Sequence, residues 1–280
     1  MPRILIAGCG YVGQATADLF HEAGWKVEGW TKSNAGTGKP YPIHAIDITD
    51  AKQVHAYEGN FDAIVHCAST RGGDVDVYRR VYLNGSRNLL ETFATSKMLF
   101  TSSTSVYAQT NGERVTEESA TEPQHQTGQI LRETEELVLA RDGIVVRLAG
   151  IYGPGRSALL NKFLAGNAVV DPENDRFINQ VHRDDIAAAI YLLLDRQREA
   201  KQIYNVVDDQ PIRQSECYRW LAKKLNRPLP PVGKSAARGK RGESSKCVSN
   251  AKLRGLGWTP RYPTFAEAMG KSILPSFGQL

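Results

Sequence analysis

Three glycines, Gly8, Gly10 and Gly13, are spaced Gly-x-Gly-x-x-Gly between the apolar run Arg3-Ile4-Leu5-Ile6-Ala7 and the helical pattern Gln14-Ala15-Thr16-Ala17-Asp18-Leu19-Phe20. A strand, a tight turn and a helix start in that order make a backbone site for an anion. Gly8 permits the turn, Gly10 leaves room for a pyrophosphate to approach the backbone, and Gly13 lets the helix pack on the strand. Tyr11 and Val12 open that helix, whose free N–H groups and dipole face the anion. Further on, 23 residues past Gly8, come Thr31, Lys32 and Ser33. An acidic residue there would hold a ribose diol and repel a 2′-phosphate. A hydroxyl, a cation and a second hydroxyl suit the phosphate, which favours NADP over NAD. Lys32 is otherwise an ordinary exposed strand-end lysine, and Glu28 is an acidic rival inside the strand. Asp47, followed by Ile48, could accept the adenine amino group or cap the next helix, a task for which Asp50 is better placed. A second chemistry-bearing row is Ser102-Ser103-Thr104-Ser105-Val106-Tyr107, hydroxyls at a strand end where open α/β sheets bind ligands.

The elements that must carry these residues follow from the pattern. Strands are expected over 25–30, 43–46, 62–69 and 97–101, alternating with helices after Gly13, after Asp50 and over 76–96. The last of these helices turns Tyr78, Val81, Tyr82, Leu89, Leu90 and Phe93 inward and contains Asn84. Cys67, Ala68 and Ser69 are small residues at a strand end, where a cofactor can lie against the backbone, and His66 reads as a packed histidine. The apolar run Gly143–Leu148 is a buried parallel strand. Short helices are expected over 157–166 and 214–225, a strand over 202–207, and a helix from Arg183 with acids in its first turn. Asn250 is expected to cap a short helix.

The chain has 280 residues, 41% hydrophobic and 23% charged, as in a soluble globular protein, with a formal net charge of +5. The basic excess gathers in Lys234–Lys246, after a Pro-rich start, and reads as a solvated loop or as a grip for an anionic group. Without an aromatic platform beside it, it does not point to nucleic acid. Cys9, Cys67, Cys217 and Cys247 are far apart and lack metal-ligand spacing, which fits a reduced, cytoplasmic setting and no metal site. Neither a signal-peptide pattern nor a membrane-length apolar run is present in the sequence.

Gly8-Cys9-Gly10-Tyr11-Val12-Gly13, Asp47-Ile48, His66-Cys67-Ala68-Ser69, Asn84 and Ser102–Tyr107 together resemble the extended branch of the short-chain dehydrogenase/reductase superfamily, the NAD-dependent epimerase/dehydratase-like proteins. Arg147-Leu148-Ala149-Gly150-Ile151-Tyr152-Gly153-Pro154-Gly155 and Val181-His182-Arg183-Asp184-Asp185 extend the resemblance along the chain. It implies an α/β fold, a doubly wound parallel (Rossmann) sheet over 1–155 and 178–206, with a small C-terminal substrate lobe over 156–177 and 207–280. It also implies a homodimer through the helix containing Asn84, and a structural role for Asp185.

The resemblance places Ser103 as the serine that orients a substrate oxygen. It also implies a Tyr and a Lys, one helical turn apart, just after Glu122-Pro123. The lysine would lower the tyrosine pKa so that the phenol can trade a proton as hydride moves. Thr127 stands in the tyrosine's seat and Leu131 in the lysine's, and neither can do that work. Among atypical members such a site is incomplete. Tyr152 is the best substitute by position, or else a packing residue that anchors its Gly-Pro-Gly turn. Two functions follow: an oxidoreductase or epimerase/dehydratase-like enzyme with an atypical site, acting on a small carbonyl, hydroxyl or sugar-nucleotide compound, or a non-catalytic NAD(P)-binding sensor.

Overall fold

The computed structural model describes residues 1–33, 38–70, 72–195, 199–234 and 245–278. Most of the basic stretch, 235–244, lies outside the described residues. The chain forms two compact units, the first made of Met1–Val106, Thr121–Arg147 and Ile186–Tyr204, the second of Tyr107–Ala120, Leu148–Asp185 and Asn205–Leu280.

The first unit is built on a seven-stranded sheet. Its strands are β1 (Arg3–Ala7), β2 (Lys26–Thr31), β3 (Ile43–Ala45), β4 (Ala63–His66), β5 (Lys97–Ser103), β6 (Ile144–Leu148) and β7 (Gln202–Val206). They lie in the order β7-β6-β5-β4-β1-β2-β3. The pairings of β1 with β2 and β4, of β2 with β3 and of β4 with β5 are parallel. The order reverses between β1 and β4, the topological switch point beside which such sheets hold their ligands. Runs such as Ile4-Leu5-Ile6 and Val145-Val146 are fully buried because helices cover both faces of the sheet.

The helices are α1 (Tyr11–Glu22), α2 (Ala51–His55), α3 (Val75–Tyr78), α4 (Gly85–Thr92) and α5 (Gln126–Leu139). Asp50 caps α2 by accepting from the N–H groups of Lys52 and Gln53. The single helix expected over 76–96 is interrupted and shorter. A π-helical segment, Arg79–Asn84, joins α3 to α4. The helix stops at Thr92 because the chain turns back into β5, with Ser96 Oγ donating to the Phe61 carbonyl at 2.6 Å. Phe93 meanwhile packs its ring on Phe61 and Trp30.

The second unit has its own apolar core, containing Tyr152, Leu160, Phe163, Cys217, Tyr218, Leu221, Phe265 and Met269. The helix Gln214–Leu225 contributes one side of it, as its periodicity foretold. The helix Ala158–Leu164 contributes another, capped by Ser157. Three two-stranded ladders brace the unit. Gly150–Tyr152 pairs with Gln180–His182, Phe177–Ile178 with Ile212–Arg213, and Arg114–Val115 with Cys247–Val248. Asn250 stands before the helix Ala251–Gly255 without capping it: its side chain donates to Val207 O and Asp209 Oδ1, and Ser249 Oγ accepts from Ala251 N instead.

Candidate functional site: a dinucleotide cradle

The glycine loop runs from β1 into α1. Gly8 has φ +99°, and a Cβ there would stand 2.1 Å from Ala68 N. A Cβ on Gly13 would stand 2.3 Å from Gly8 O. Both glycines are therefore required by the loop's own packing, one by its left-handed backbone and both by close approach. Gly10 is different: a Cβ there would meet nothing nearer than Gly8 O at 4.0 Å. Open space at the helix start is where a pyrophosphate would be received, and on this observation the residues present fit a dinucleotide. Cys67 stands under the loop, its Sγ donating to Gly8 O at 3.3 Å, and burial pushes its thiol pKa up. Val12 is buried, and Tyr11 is half-buried at the first turn.

A cleft beside the loop is lined by Gly8, Thr31, Lys32, Asp47, Ala68 and Ser69, among others. Lys32 Nζ pairs with Asp47 Oδ2 at 3.0 Å. Asp47 also accepts from the N–H and hydroxyl of Thr49, at 3.0 and 2.9 Å. These bonds hold its carboxyl below the usual range despite partial burial. The Thr31 hydroxyl donates to Ser33 O. Glu28 is occupied by Arg3, at 2.7 Å, and by the Tyr57 hydroxyl. Ile48 is buried against Gly85, where a Cβ would come within 2.9 Å of its Cδ1. Asn84 ends the π segment and accepts from Arg87 at 3.5 Å.

At the end of β5 the two serines diverge. Ser102 is buried and donates to Glu135 Oε1 at 2.6 Å, so its hydroxyl is engaged within the fold. Ser103 Oγ accepts from Ser105 N at 3.1 Å and retains its own proton to donate. Glu135, fully buried on α5, also accepts from Arg147 at 3.0 and 2.7 Å and from Arg132 at 2.6 Å. Arg132 is thus tied into this network. Thr127 lies in the first turn of α5, half-buried, and Leu131 one turn further is buried. His66, fully buried at the end of β4, contacts Ser86 Oγ at 2.9 Å through Nδ1.

Tyr152 belongs to the second unit, and the structure argues against its nomination as an acid/base group. It is 1% exposed and part of the apolar core. Among the described residues, neither its hydroxyl nor Asp208 Oδ1 meets a partner at hydrogen-bonding geometry. The two are still close enough to perturb each other's ionisation, and burial, then Asp208, push the phenol pKa well up. A sealed phenol that resists ionising trades protons poorly; its place is in the packing. Asp185 accepts from the N–H groups of Arg261 and Tyr262 at 2.6 and 3.1 Å, a structural tie.

Sequence reasoning missed Glu135 with its arginines, and also Lys246. The latter, grouped with the basic loop, is buried in the second unit. Among the described residues, no helix is long and apolar enough to cross a membrane.

Comparison with known proteins gives the fold and the family. No curated protein matches the chain in sequence. A Methylobacillus flagellatus protein, provisionally described as an NAD-dependent epimerase/dehydratase, is 26% identical over 96% of each chain, with a TM-score of 0.78. UDP-glucose 4-epimerase of Thermus thermophilus, solved with NAD, is 21% identical over 99% of this chain and 100% of its own, with a TM-score of 0.82. ADP-L-glycero-D-manno-heptose-6-epimerase of Helicobacter pylori is 20% identical over 100% and 97%, with a TM-score of 0.82. Residues 4–206 match the profile of a family described as NAD dependent epimerase/dehydratase. The chain belongs to the NAD dependent epimerase/dehydratase family.

Proposed function

We propose that this chain binds NADP in preference to NAD and serves as an atypical epimerase/dehydratase-like or oxidoreductase enzyme. Its substrate is a small carbonyl, hydroxyl or sugar-nucleotide compound. The observation that carries the binding half of this reading is the clear space over Gly10, between two glycines that the loop needs for itself. Gly8, Gly10 and the first turn of α1 would receive the pyrophosphate, with Ala68 and Ser69 alongside. Lys32 supports the choice of NADP. Its side chain is 81% exposed, so its bond to Asp47 is weak and readily exchanged for a phosphate. When bound, the nicotinamide supplies hydride transfer. Ser103 would orient the substrate oxygen through the proton it retains. The titratable pair usual on the α5 face is replaced by Thr127 and Leu131, so the proton must pass through another group.

Those same two residues favour a second reading, a non-catalytic NAD(P)-binding sensor. Leu131 is buried and apolar where a cation would be needed. A panel of carbonyl compounds and sugar nucleotides with NADPH and NADP decides between them. Turnover that Ser103→Ala lowers by about a hundredfold supports the enzyme. Dinucleotide binding with no turnover across the panel supports the sensor. We also propose, from the family resemblance alone, a homodimer through the helical segment that contains Asn84, to be checked by the mass of the particle in solution.

A further inference from the structure

Lys246 is 3% exposed, and among the described residues no carboxylate pairs with it. Its ammonium donates to one acceptor, the Tyr107 carbonyl oxygen at 2.7 Å. The Tyr107 ring centroid lies 6.0 Å from Nζ, and that ring is itself buried. An ammonium carries three N–H donors, so two meet no acceptor among the described residues of this buried site. Buried charges are as a rule paired, and one left alone calls for an explanation. The ionisation responds accordingly: burial alone pulls the lysine from 10.5 down to about 8.

The described groups around it are mostly neutral. Asn179 clamps the backbone on both sides of Cys247, its Nδ2 donating to Lys246 O and its Oδ1 accepting from Val248 N, each at 2.8 Å. Cys247 N donates to Glu113 O at 2.8 Å. Tyr107 is held by its hydroxyl to Asn205 Oδ1 at 2.8 Å, and Asn205 Nδ2 donates to Ser249 O at 3.2 Å. The charged groups of these segments are engaged elsewhere. Arg114 donates to Ser249 Oγ at 2.9 Å, and Glu117 accepts from Asn205 N at 2.7 Å with Lys252 as its nearby cation. A lysine whose only task was structural would reach a carboxylate or extend its head to water. This one presents unmet donors from an anchored backbone.

We propose that Lys246 is a ligand-binding residue whose ammonium takes an oxyanion, a phosphate or a carboxylate, of the small molecule that the second unit recognises. The oxyanion supplies the missing counter-charge and fills the unmet donors. The proposal adds to the reading above the sign of the substrate's charge, and rests on that reading only in calling the ligand a substrate.

The test uses the full chain carrying ¹³Cε-labelled lysine, followed by NMR over a pH series in chloride, with inorganic phosphate, pyrophosphate or succinate added at matched ionic strength. The Lys246 signal is identified by its loss in Lys246→Met. At least one probe should raise the Lys246 midpoint by about one unit or more, phosphates marking a phosphoryl group and succinate a carboxylate. Lys246→Met, or Lys246→Arg should the first not fold, should bind the active probe about tenfold more weakly or worse for Met and near wild type for Arg, with NADPH affinity unchanged. A Lys246 midpoint unmoved by all three probes overturns the proposal. A moved midpoint in a chain that binds no dinucleotide keeps the proposal and removes the cofactor reading instead.

Discussion

Gly8, Gly10 and Gly13 share a residue type and differ in what a methyl group would do to them. Gly8→Ala would force a left-handed backbone on alanine and drive Cβ into the Ala68 backbone. A loss of about 3 kcal/mol or more in urea unfolding is expected. Gly10→Ala has room for its methyl group. It should lower the unfolding free energy far less than Gly8→Ala while weakening NADPH binding by about tenfold or more, because the methyl occupies the space the pyrophosphate needs. His66 offers a second check at this scale. Burial lowers its pKa from 6.5 to about 3, so the folded state holds it neutral. Its contribution is complete above pH 6.5 and is lost as the unfolded chain takes up a proton on acidification towards pH 3. Unfolding free energy measured across this window should fall with acid, and less steeply in His66→Leu.

Glu135 on α5 links that helix to Ser102 on β5 and Arg147 on β6 through hydrogen bonds of 2.6 to 3.0 Å. Removing it would leave the guanidinium of Arg147, itself 1% exposed, without its carboxylate. Glu135→Ala should therefore cost about 3–5 kcal/mol in denaturant unfolding. Leu131→Lys, which writes the missing cation into α5, places a charge at a buried apolar position and should destabilise the fold to a comparable degree. Restoring the pair is thus not a single substitution. At this scale the sequence was informative where periodicity and caps decide the outcome. The run Gln214–Leu225 and the Asp50 cap formed as read, and the short helix expected over 157–166 formed over Ala158–Leu164. It was silent where contacts between distant segments decide. The π segment before Gly85 inserts an extra residue per turn that no local pattern marks, and Glu135 looks in sequence like one acid in a polar helix. Lys246 was hidden among basic neighbours, because only the pairing of Cys247–Val248 with Arg114–Val115 shows that its segment is ordered.

For the whole molecule, family and fold carry a claim about binding, and the α5 residues keep that claim apart from one about turnover. The first unit has the switch point, the glycine loop and the cleft with Lys32 and Asp47. The second has a closed apolar core with Tyr152 inside it and a buried lysine short of acceptors. The position of Ser103 at the end of β5 was legible from the strand-end hydroxyl row. Of the two readings given to Tyr152, its burial in the apolar core agrees with the packing one, which chain position alone could not decide. The measurement that bears most directly on the account is equilibrium binding of NADPH and NADH to the purified full chain, followed by calorimetry. The expected result is one-to-one binding with NADPH tighter than NADH by about tenfold, reduced towards parity by Lys32→Ala and weakened for both by Gly10→Ala. Failure of either dinucleotide to bind at millimolar concentration would contradict it.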